Sequence, residues 1–551
     1  MNSESDQYLS WRTAAILLIV LSAFYWLGNG KISLFDRDEP RFAQPAKEML
    51  FAQNWKGWIV PHFNGEPFFH KPPLCYWQIA LADLVFGINE FSARFFSGLW
   101  TALAAVILAV YLAKRFSKLT GLLAVIAFST SLMVIVQAKM AIADATLNLL
   151  TILSVLSLWE IYNGSATLGN RLILWTAVGV AILCKGHAVF VVIPGLTITL
   201  LILDRNRKWV RQTGFWWGLP LALAIGLPWY FLANHLAAGL VERFIKYDLV
   251  ARAKMPLESH WGFPGYYILT AIFDTWPWSA FLAPVAIFTW KNRTDKNVKF
   301  LLAWLIGPTV ILECIKTKLP HYWLIVLPAY IILLALAAES WITDPENKIW
   351  KKWNKPVLLT ISGVWTLIAA GGLAGFFYIH SKGTLISPIF LTIPVVFFAS
   401  AAIVYFTARG KSKSLSLAFS MIALAVVLSI STLSVFILPA LEKFKTGKNL
   451  AVFLKSLASD NTTYVLIGWQ EPSTVFYLNS RHNIINAPVK DFWSYTSRPD
   501  TIVAIADKYA HPLVDNQSEF AKRNLDLFEY TGPNYTRGGR PITFYIACSS
   551  P

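Results

Sequence analysis

Charge is what this sequence has least of. Only 14% of its 551 residues are Asp, Glu, Lys or Arg, against about 25% in soluble domains, while 56% are hydrophobic. A string of soluble domains is excluded, and the composition is that of a polytopic membrane protein. Cysteine is nearly as scarce. The four present, three of them (Cys75, Cys184 and Cys314) in or beside apolar segments, make no disulfide framework and no paired metal-ligand spacing. Also missing are a Walker A run, a Rossmann glycine fingerprint, Gly-x-Ser-x-Gly and His-Glu-x-x-His. The chain therefore carries no recognisable nucleotide site, and an activated substrate for an enzyme of this kind would arrive through the membrane. No internal repeat or low-complexity segment is visible.

What is abundant points the same way. Twenty-four Trp and 37 Phe suit extensive lipid and interfacial contact. The net charge of +17 would suggest nucleic acid in a soluble protein; here it is cytoplasmic loop charge, and no nucleic-acid partner is expected. Apolar runs of spanning length fall near 13–30, 93–113, 119–137, 145–162, 171–186, 188–203, 215–234, 267–289, 299–314, 322–340, 356–378, 385–407 and 415–438. These are about 13 expected transmembrane helices, the pair 171–203 being short enough to form one hairpin. No small-residue cleavage site follows the first, which is read as retained. Nineteen Lys and Arg occupy alternate short loops, from Lys114, Arg115 and Lys118 to Arg409, Lys411 and Lys413. Those loops are expected to be cytoplasmic. The opposite loops, 31–92, 138–144, 235–266 and 315–321, then face outward with the C-terminal segment.

Loop 31–92 is too long for a connector. Gln44 to Phe51 reads as an amphipathic helix with Ala46, Met49 and Leu50 on one side and Lys47 and Glu48 opposite; 74–87 reads as a second, interfacial one. Beyond Leu441 the apolar runs shorten to strand length (Tyr464–Ile467, Thr501–Ile505, Thr543–Ile546) and alternate with helical stretches (Leu450–Leu457, Ser518–Arg523). The expected division is a membrane domain over 1–440 that includes the outer loop, and a small α/β domain over 441–551.

Residues fit for chemistry gather at the outward edge. Asp36-Arg37-Asp38-Glu39-Pro40-Arg41 follows the first span, where acids near lipid are costly without partners or a task. Pro40 suits a first helical turn and biases Glu39 away from helical geometry. Asp38 and Glu39 would then sit at a helix N-terminus, which stabilises a carboxylate as a base or metal ligand, or simply caps the helix. In Phe68-Phe69-His70-Lys71-Pro72-Pro73 the prolines fix the backbone beyond Lys71. Lys71 is placed to bind a lipid phosphate as a point charge, Arg41 to do so bidentately; the competing reading is an aromatic belt with a snorkelling Lys. Asp144 caps a span or serves as a second site carboxylate, and Lys185-Gly186-His187 is a tight basic turn. Loop 235–266 mixes Glu242, Arg243, Lys246, Asp248, Arg252, Lys254, Glu258 and His260, as a solvated helix or as a grip on an anionic ligand. Lys316, Lys318, His321 and Tyr322 form a further outer cluster.

Read in order, Asp38-Glu39-Pro40-Arg41-Phe42-Ala43, Glu48-Met49-Leu50, Trp58-Ile59-Val60-Pro61, Asn64-Gly65, Lys71-Pro72-Pro73 and Tyr76-Trp77 resemble the opening of the GT-C membrane glycosyltransferases. The likeness continues through Ala143-Asp144, Cys184-Lys185-Gly186, Gly226-Leu227-Pro228-Trp229, Pro277-Trp278 and Lys316-Thr317-Lys318-Leu319-Pro320, over roughly residues 30–330. Within that superfamily the chain resembles the protein-mannosyltransferase-like group that includes the lipid A aminoarabinose transferases. The resemblance implies a helical GT-C fold with a C-terminal periplasmic α/β domain in the bacterial inner membrane. It implies inverting transfer of a sugar from a polyprenyl-phosphate donor to lipid A or a related glycolipid. A protein O-mannosyltransferase is the alternative and a lipid or solute transporter a distant one.

By that resemblance Asp38, with Glu39, leads the catalytic carboxylates and Asp144 partners it. Arg41, Lys71 and Lys185 would hold the donor phosphate, and Arg243, Arg252 and Lys318 would contact the acceptor or the loops. Two positions depart from the expected pattern: His70 replaces an acid before the Lys-Pro pair, and Gln44 stands where a Glu is expected. The sequence assigns no definite cofactor; a divalent metal, zinc or magnesium, could be held by Asp38 or, in place of the missing carboxylates, by His70 and His260 as imidazole ligands.

Overall fold

The computed structural model describes residues 9–257, 260–344, 346–381, 388–409, 415–459, 461–478, 484–534 and 540–549. Glu258, Lys411 and Lys413 lie outside them, as do the side chains of His187 and Asp248. The chain divides into two compact units: Met1–Asn29, Phe69–Gln78 and Arg94–Ile437 form the first, and Gly30–Phe68, Ile79–Ala93 and Leu438–Pro551 the second. Loop 31–92, expected to belong with the membrane domain, is thus largely grouped with the C-terminal segment.

Among the described residues nine helices are long and apolar enough to cross a membrane, and counting two sharply bent pairs as one span each gives eleven. The shorter helices Val189–Leu203 and Leu327–Thr343 occupy the two remaining expected spans, so each of the thirteen has a helix in place. The chain is a multi-pass membrane protein. Side-chain caps open several of the helices: Ser117 accepts from the Thr120 amide, Thr167 from Asn170, and Asp295 from Asn297 and Val298.

Hydropathy did not foretell the bends. Lys118–Ser129 and Leu132–Ala138 meet at 66°, and Tyr266–Asp274 and Trp278–Lys291 at 117°. Broken backbone at membrane depth needs partners for its freed groups, and the two breaks supply them to each other. The Leu132 amide donates to the Trp276 carbonyl (3.0 Å), and Trp278 Nε1 donates to Thr130 Oγ1 (3.0 Å).

Close helix contacts rest on glycine. Helices Val189–Leu203 and Lys296–Cys314 approach so closely at Gly195 and Gly307 that a Cβ on Gly307 would collide with the Gly195 carbonyl oxygen. Helices Leu168–Lys185 and Phe215–Gly226 do likewise through Gly179 and Gly226. Small residues let backbones meet where lipid supplies no hydrophobic drive between helices. The end of the first helix, Trp11–Trp26, is finished by a cation: Lys139 Nζ donates to the carbonyls of Leu27 (2.7 Å) and Tyr25 (3.1 Å). Those are carbonyls that the last helical turn leaves without partners.

The second unit is built on a five-stranded sheet. Two short strands, β1 (His62–Phe63) and β2 (Glu66–Pro67), form a separate hairpin. The sheet proper has β3 (Thr463–Ile467), β4 (Ile484–Ala487), β5 (Thr501–Ala506), β6 (Leu525–Asn534) and β7 (Arg540–Ser549) in the order β4-β3-β5-β7-β6. β3 is parallel to β4 and β5, whereas β7 is antiparallel to β5 and β6. Every residue of central β5 is buried, which is why it reads as an unbroken apolar run. Helix Thr446–Ser456 covers one face with Leu450, Ala451 and Leu454; Phe492, Ala510 and Phe520 cover the other.

Helix Pro40–Phe51 starts earlier than periodicity suggested, with Pro40 at its first position. Two expectations fail there. Glu39 is helical (φ −62°, ψ −44°) despite the following proline. Lys47, placed outward by the helical wheel, is buried, with Nζ donating to the Phe476 carbonyl at 3.0 Å. The outer face of that helix packs against Pro472–Leu478, so both sides are covered. Burial lowers the Lys47 pKa to about 8. Glu48 accepts from the backbone amides of Asn64 and Gly65, fixing the hairpin turn, and Asn64 Nδ2 reaches the Ile484 carbonyl on β4.

Candidate active site

The first unit contains a small cavity of about 60 Å³. Its polar lining is Lys71, Asp144, Lys185, Arg252 and Tyr322, set among apolar residues that include Leu147, Phe244, Leu312 and Ile325. Three cations face one carboxylate, so the lining carries surplus positive charge in apolar surroundings, where electrostatic attraction is little screened. The volume suits a phosphate-sized group and is well below the about 300–1,000 Å³ of a ligand pocket; admitting a sugar requires lining side chains to move.

Each polar residue is held by its own element. Asp144 is the first residue of helix Asp144–Tyr162, and Lys185 the last of Leu168–Lys185. Helix ends of opposite polarity thus present the charge each favours. The two side chains form an ion pair of 2.6 Å, almost wholly buried. The lysine ammonium also lies 5.1 Å from the centre of the Tyr322 ring, within cation–π range. Beyond Lys185, Gly186 turns the chain with φ +62°, and a Cβ there would press against Tyr230 and Phe244.

Lys71 stands on an anchored segment. Phe69 stacks on Trp229 (5.2 Å between ring centres) and meets Phe244 edge-on (4.9 Å), Pro72 and Pro73 are buried, and Lys71 Nζ donates to the His70 carbonyl at 2.8 Å. Arg252 follows a π-helical stretch, Ile245–Ala251, an irregularity frequent at functional sites. Its carbonyl accepts from the Thr317 amide (3.1 Å), and Thr317 Oγ1 joins the Leu257 amide to the Met255 carbonyl. The 252–257 segment is thereby tied to the strand-like stretch leading to Tyr322.

His321 packs edge-on against Tyr322 at 4.9 Å. Burial depresses its pKa to about 4, with Lys185, His260 and Lys71 adding to the effect and Asp144 opposing it. The imidazole is neutral at physiological pH, so it adds no charge to the cavity. Neither His321 nor Tyr322 was singled out by sequence beyond membership of an outer cluster. The signal present was the His-Tyr pair directly after Lys316-Thr317-Lys318-Leu319-Pro320.

Of the residues expected from sequence, Lys71, Asp144, Lys185 and Arg252 line the same cavity. Arg252 moves from a proposed acceptor contact to the phosphate-sized space itself. Lys318 has a different place: it is buried, paired with Glu313, and donates to the Phe263 carbonyl at 3.2 Å. Arg243 is exposed on helix Leu240–Phe244 beside Glu242, Lys246 and Tyr247.

Asp38, Glu39 and Arg41 belong to the second unit. Asp38 is exposed, directly after Arg37, which adopts a left-handed φ of +72°, a conformation uncommon for a side-chain-bearing residue. Glu39 is fully buried and accepts from the Phe35 amide at 2.7 Å, so its carboxylate holds the turn. Among the described residues no three His, Cys, Asp or Glu side chains gather as a metal would require; Glu258, two residues from His260, lies outside them.

The solved structures that resemble this chain decide the fold. ArnT from Cupriavidus metallidurans bound to undecaprenyl phosphate superposes with a TM-score of 0.76 over 97% of this chain and 98% of that one, at 17% identity. The apo state of the same protein gives 0.75, over 98% and 99%, at 18% identity. The chain has the ArnT fold. Residues 70–231 match the family described as dolichyl-phosphate-mannose-protein mannosyltransferase, a segment holding Lys71, Asp144 and Lys185. Among curated relatives, an undecaprenyl phosphate-alpha-4-amino-4-deoxy-L-arabinose arabinosyl transferase of Pseudomonas savastanoi pv. phaseolicola is 30% identical over 337 residues. That alignment takes in 60% of this chain and 61% of the relative, so the chain spans about three fifths of that relative's length. The ArnT-like architecture agrees with the GT-C membrane fold and small C-terminal sheet domain expected from sequence.

Proposed function

We propose that the protein is an inverting glycosyltransferase of the inner membrane, moving 4-amino-4-deoxy-L-arabinose or a close analogue from undecaprenyl phosphate to lipid A at the periplasmic face. The observation that carries this is one buried, net-cationic cavity joining Lys71, Lys185, Arg252 and Asp144, in a chain with the ArnT fold. In the reaction an acceptor oxygen attacks the anomeric carbon while the bond from that carbon to the donor phosphate oxygen breaks. The leaving phosphate gains negative charge, and Lys71, Arg252 and Lys185 are fit to stabilise it where it develops. Arg252 offers a planar fork and Lys71 a point charge.

Asp144 keeps Lys185 extended into this space. Asp38, on the strength of its motif and exposure, is proposed as the carboxylate that takes the proton from an acceptor hydroxyl, or orients the acceptor when that is an already ionised lipid phosphate. Arg41 is proposed as a further phosphate contact. The basic short loops support placing the opposite face, with the cavity, toward the periplasm.

The test is mass spectrometry of lipid A and envelope proteins from cells with and without the chain. A mass increment of aminopentose on lipid A, lost in an Asp38→Asn strain that still inserts the protein, is the expected result. A hexose on a Ser or Thr of an envelope protein would instead support the protein mannosyltransferase named by the family match, and no change in either would end both readings.

A further inference from the structure

A second, larger cavity of about 480 Å³ lies elsewhere in the first unit, within the size range of lipid and ligand pockets. It is bounded by helices Val189–Leu203, Leu282–Lys291, Lys296–Cys314 and Leu327–Thr343. The catalytic cavity uses Val191, Leu312 and Ile315, whereas this one uses Leu203 and residues 299–306. The two cavities therefore lie toward opposite ends of the same antiparallel helix pair, roughly 15–20 Å apart at about 1.5 Å per residue.

Its wall is apolar apart from a few groups, and those groups have a pattern. Arg293 and Lys299 line it from the short basic loop and the first turn after it. Arg293 is held in place, its guanidinium 4.5 Å from the centre of the Trp290 ring and donating to the Trp290 carbonyl at 2.7 Å. Thr289, buried in the same wall, has a hydroxyl with no hydrogen-bond partner among the described residues. An apolar slot beside lipid-exposed Trp290 and Ile306, with two cations and an unpaired hydroxyl, matches a lipid whose chain is apolar and whose head is an anion. Basic pockets between spanning helices on the cytoplasmic side bind such head groups.

We propose that this cavity is a binding site for an anionic diacyl phospholipid of the leaflet facing the basic loops, with one acyl chain between the helices and the phosphate on Arg293 and Lys299. The site is separate from the transfer reaction and stands whichever sugar and acceptor that reaction uses.

The experiment is native mass spectrometry of the full chain, delipidated in detergent and re-exposed to phosphatidylglycerol, phosphatidylcholine or undecaprenyl phosphate. The wild-type chain should retain phosphatidylglycerol at least tenfold better than phosphatidylcholine. Each cation contributes about fivefold for an anionic head, so the Arg293→Gln, Lys299→Gln double variant should lose about 25-fold. Ala286→Phe, at an exposed position in the slot, should reduce retention of phosphatidylglycerol with both cations intact. Equal retention of the two phospholipids, undiminished phosphatidylglycerol binding by the double variant, or a loss of undecaprenyl phosphate rather than phosphatidylglycerol in that variant would each overturn the proposal.

Discussion

The Asp144–Lys185 pair sets conflicting demands on any substitution at either position. Removing the lysine alone leaves a buried carboxylate without its partner, a loss of about 3–5 kcal/mol, so a fall in activity would be confounded with instability. Lys185→Met is expected to lower the thermal unfolding midpoint markedly, and the Asp144→Asn, Lys185→Met double variant to recover most of that loss while remaining inactive. Differential scanning fluorimetry with a transfer assay on the same samples separates the two effects. Full activity in the double variant would remove the pair from the mechanism. His321 makes a pH-dependent prediction of definite sign. Its native pKa is near 4 against an ordinary 6.5. Between those values the unfolded chain takes up a proton that the native protein refuses, so stability falls as pH drops from about 6.5 to about 4. His321→Gln should flatten that part of the curve; an unchanged slope between pH 7 and pH 5 would contradict the assignment.

At the scale of elements, the Gly195–Gly307 crossing joins the helices whose two ends line the two cavities. Gly307→Ala puts a methyl group against backbone that cannot rotate away, and overpacking of that kind costs about 1–3 kcal/mol. The expected result is a lower unfolding midpoint and a weaker donor affinity, since Leu312 and Ile315 at the end of helix Lys296–Cys314 line the proposed donor-phosphate cavity. Gly363→Ala, where an added Cβ meets nothing within 4 Å, is the control and should change neither. In the second unit, Glu48→Ala leaves the Asn64 and Gly65 amides without their acceptor. Limited proteolysis should then cut first near the β1–β2 turn.

For the molecule as a whole, the alternation of basic and mixed loops is a statement about orientation. A membrane-impermeant maleimide added to spheroplasts should label Gly239→Cys above the unsubstituted chain and leave Asn292→Cys at the level of the unsubstituted chain until the membrane is opened. The reverse pattern would place the candidate cavity toward the cytoplasm and undo the periplasmic reading. Thirteen spans were countable from sequence because a spanning helix leaves an apolar record about 20 residues long. The two bends left no such record, since their cost is met by hydrogen bonds between Leu132 and Trp276 and between Trp278 and Thr130, residues far apart in the chain.

Sequence by itself determined that this is a membrane protein, which loops are basic, where helix Asp144–Tyr162 lies, and which charged residues stand at the ends of the apolar runs. All of these follow from local composition and periodicity. Tertiary structure decided that Arg252 and Tyr322 share a cavity with Lys71, Asp144 and Lys185, and that Lys318 does not. It decided that Lys47 points inward and that β4, only four residues long, and β6, with Gly532 and Pro533 near its end, are strands of one sheet. The physical reason is common to all of these. A buried charge or an edge strand is stable only through its partner, and for Arg252, Tyr322, Lys47 and β4 the groups they meet lie tens or hundreds of residues away.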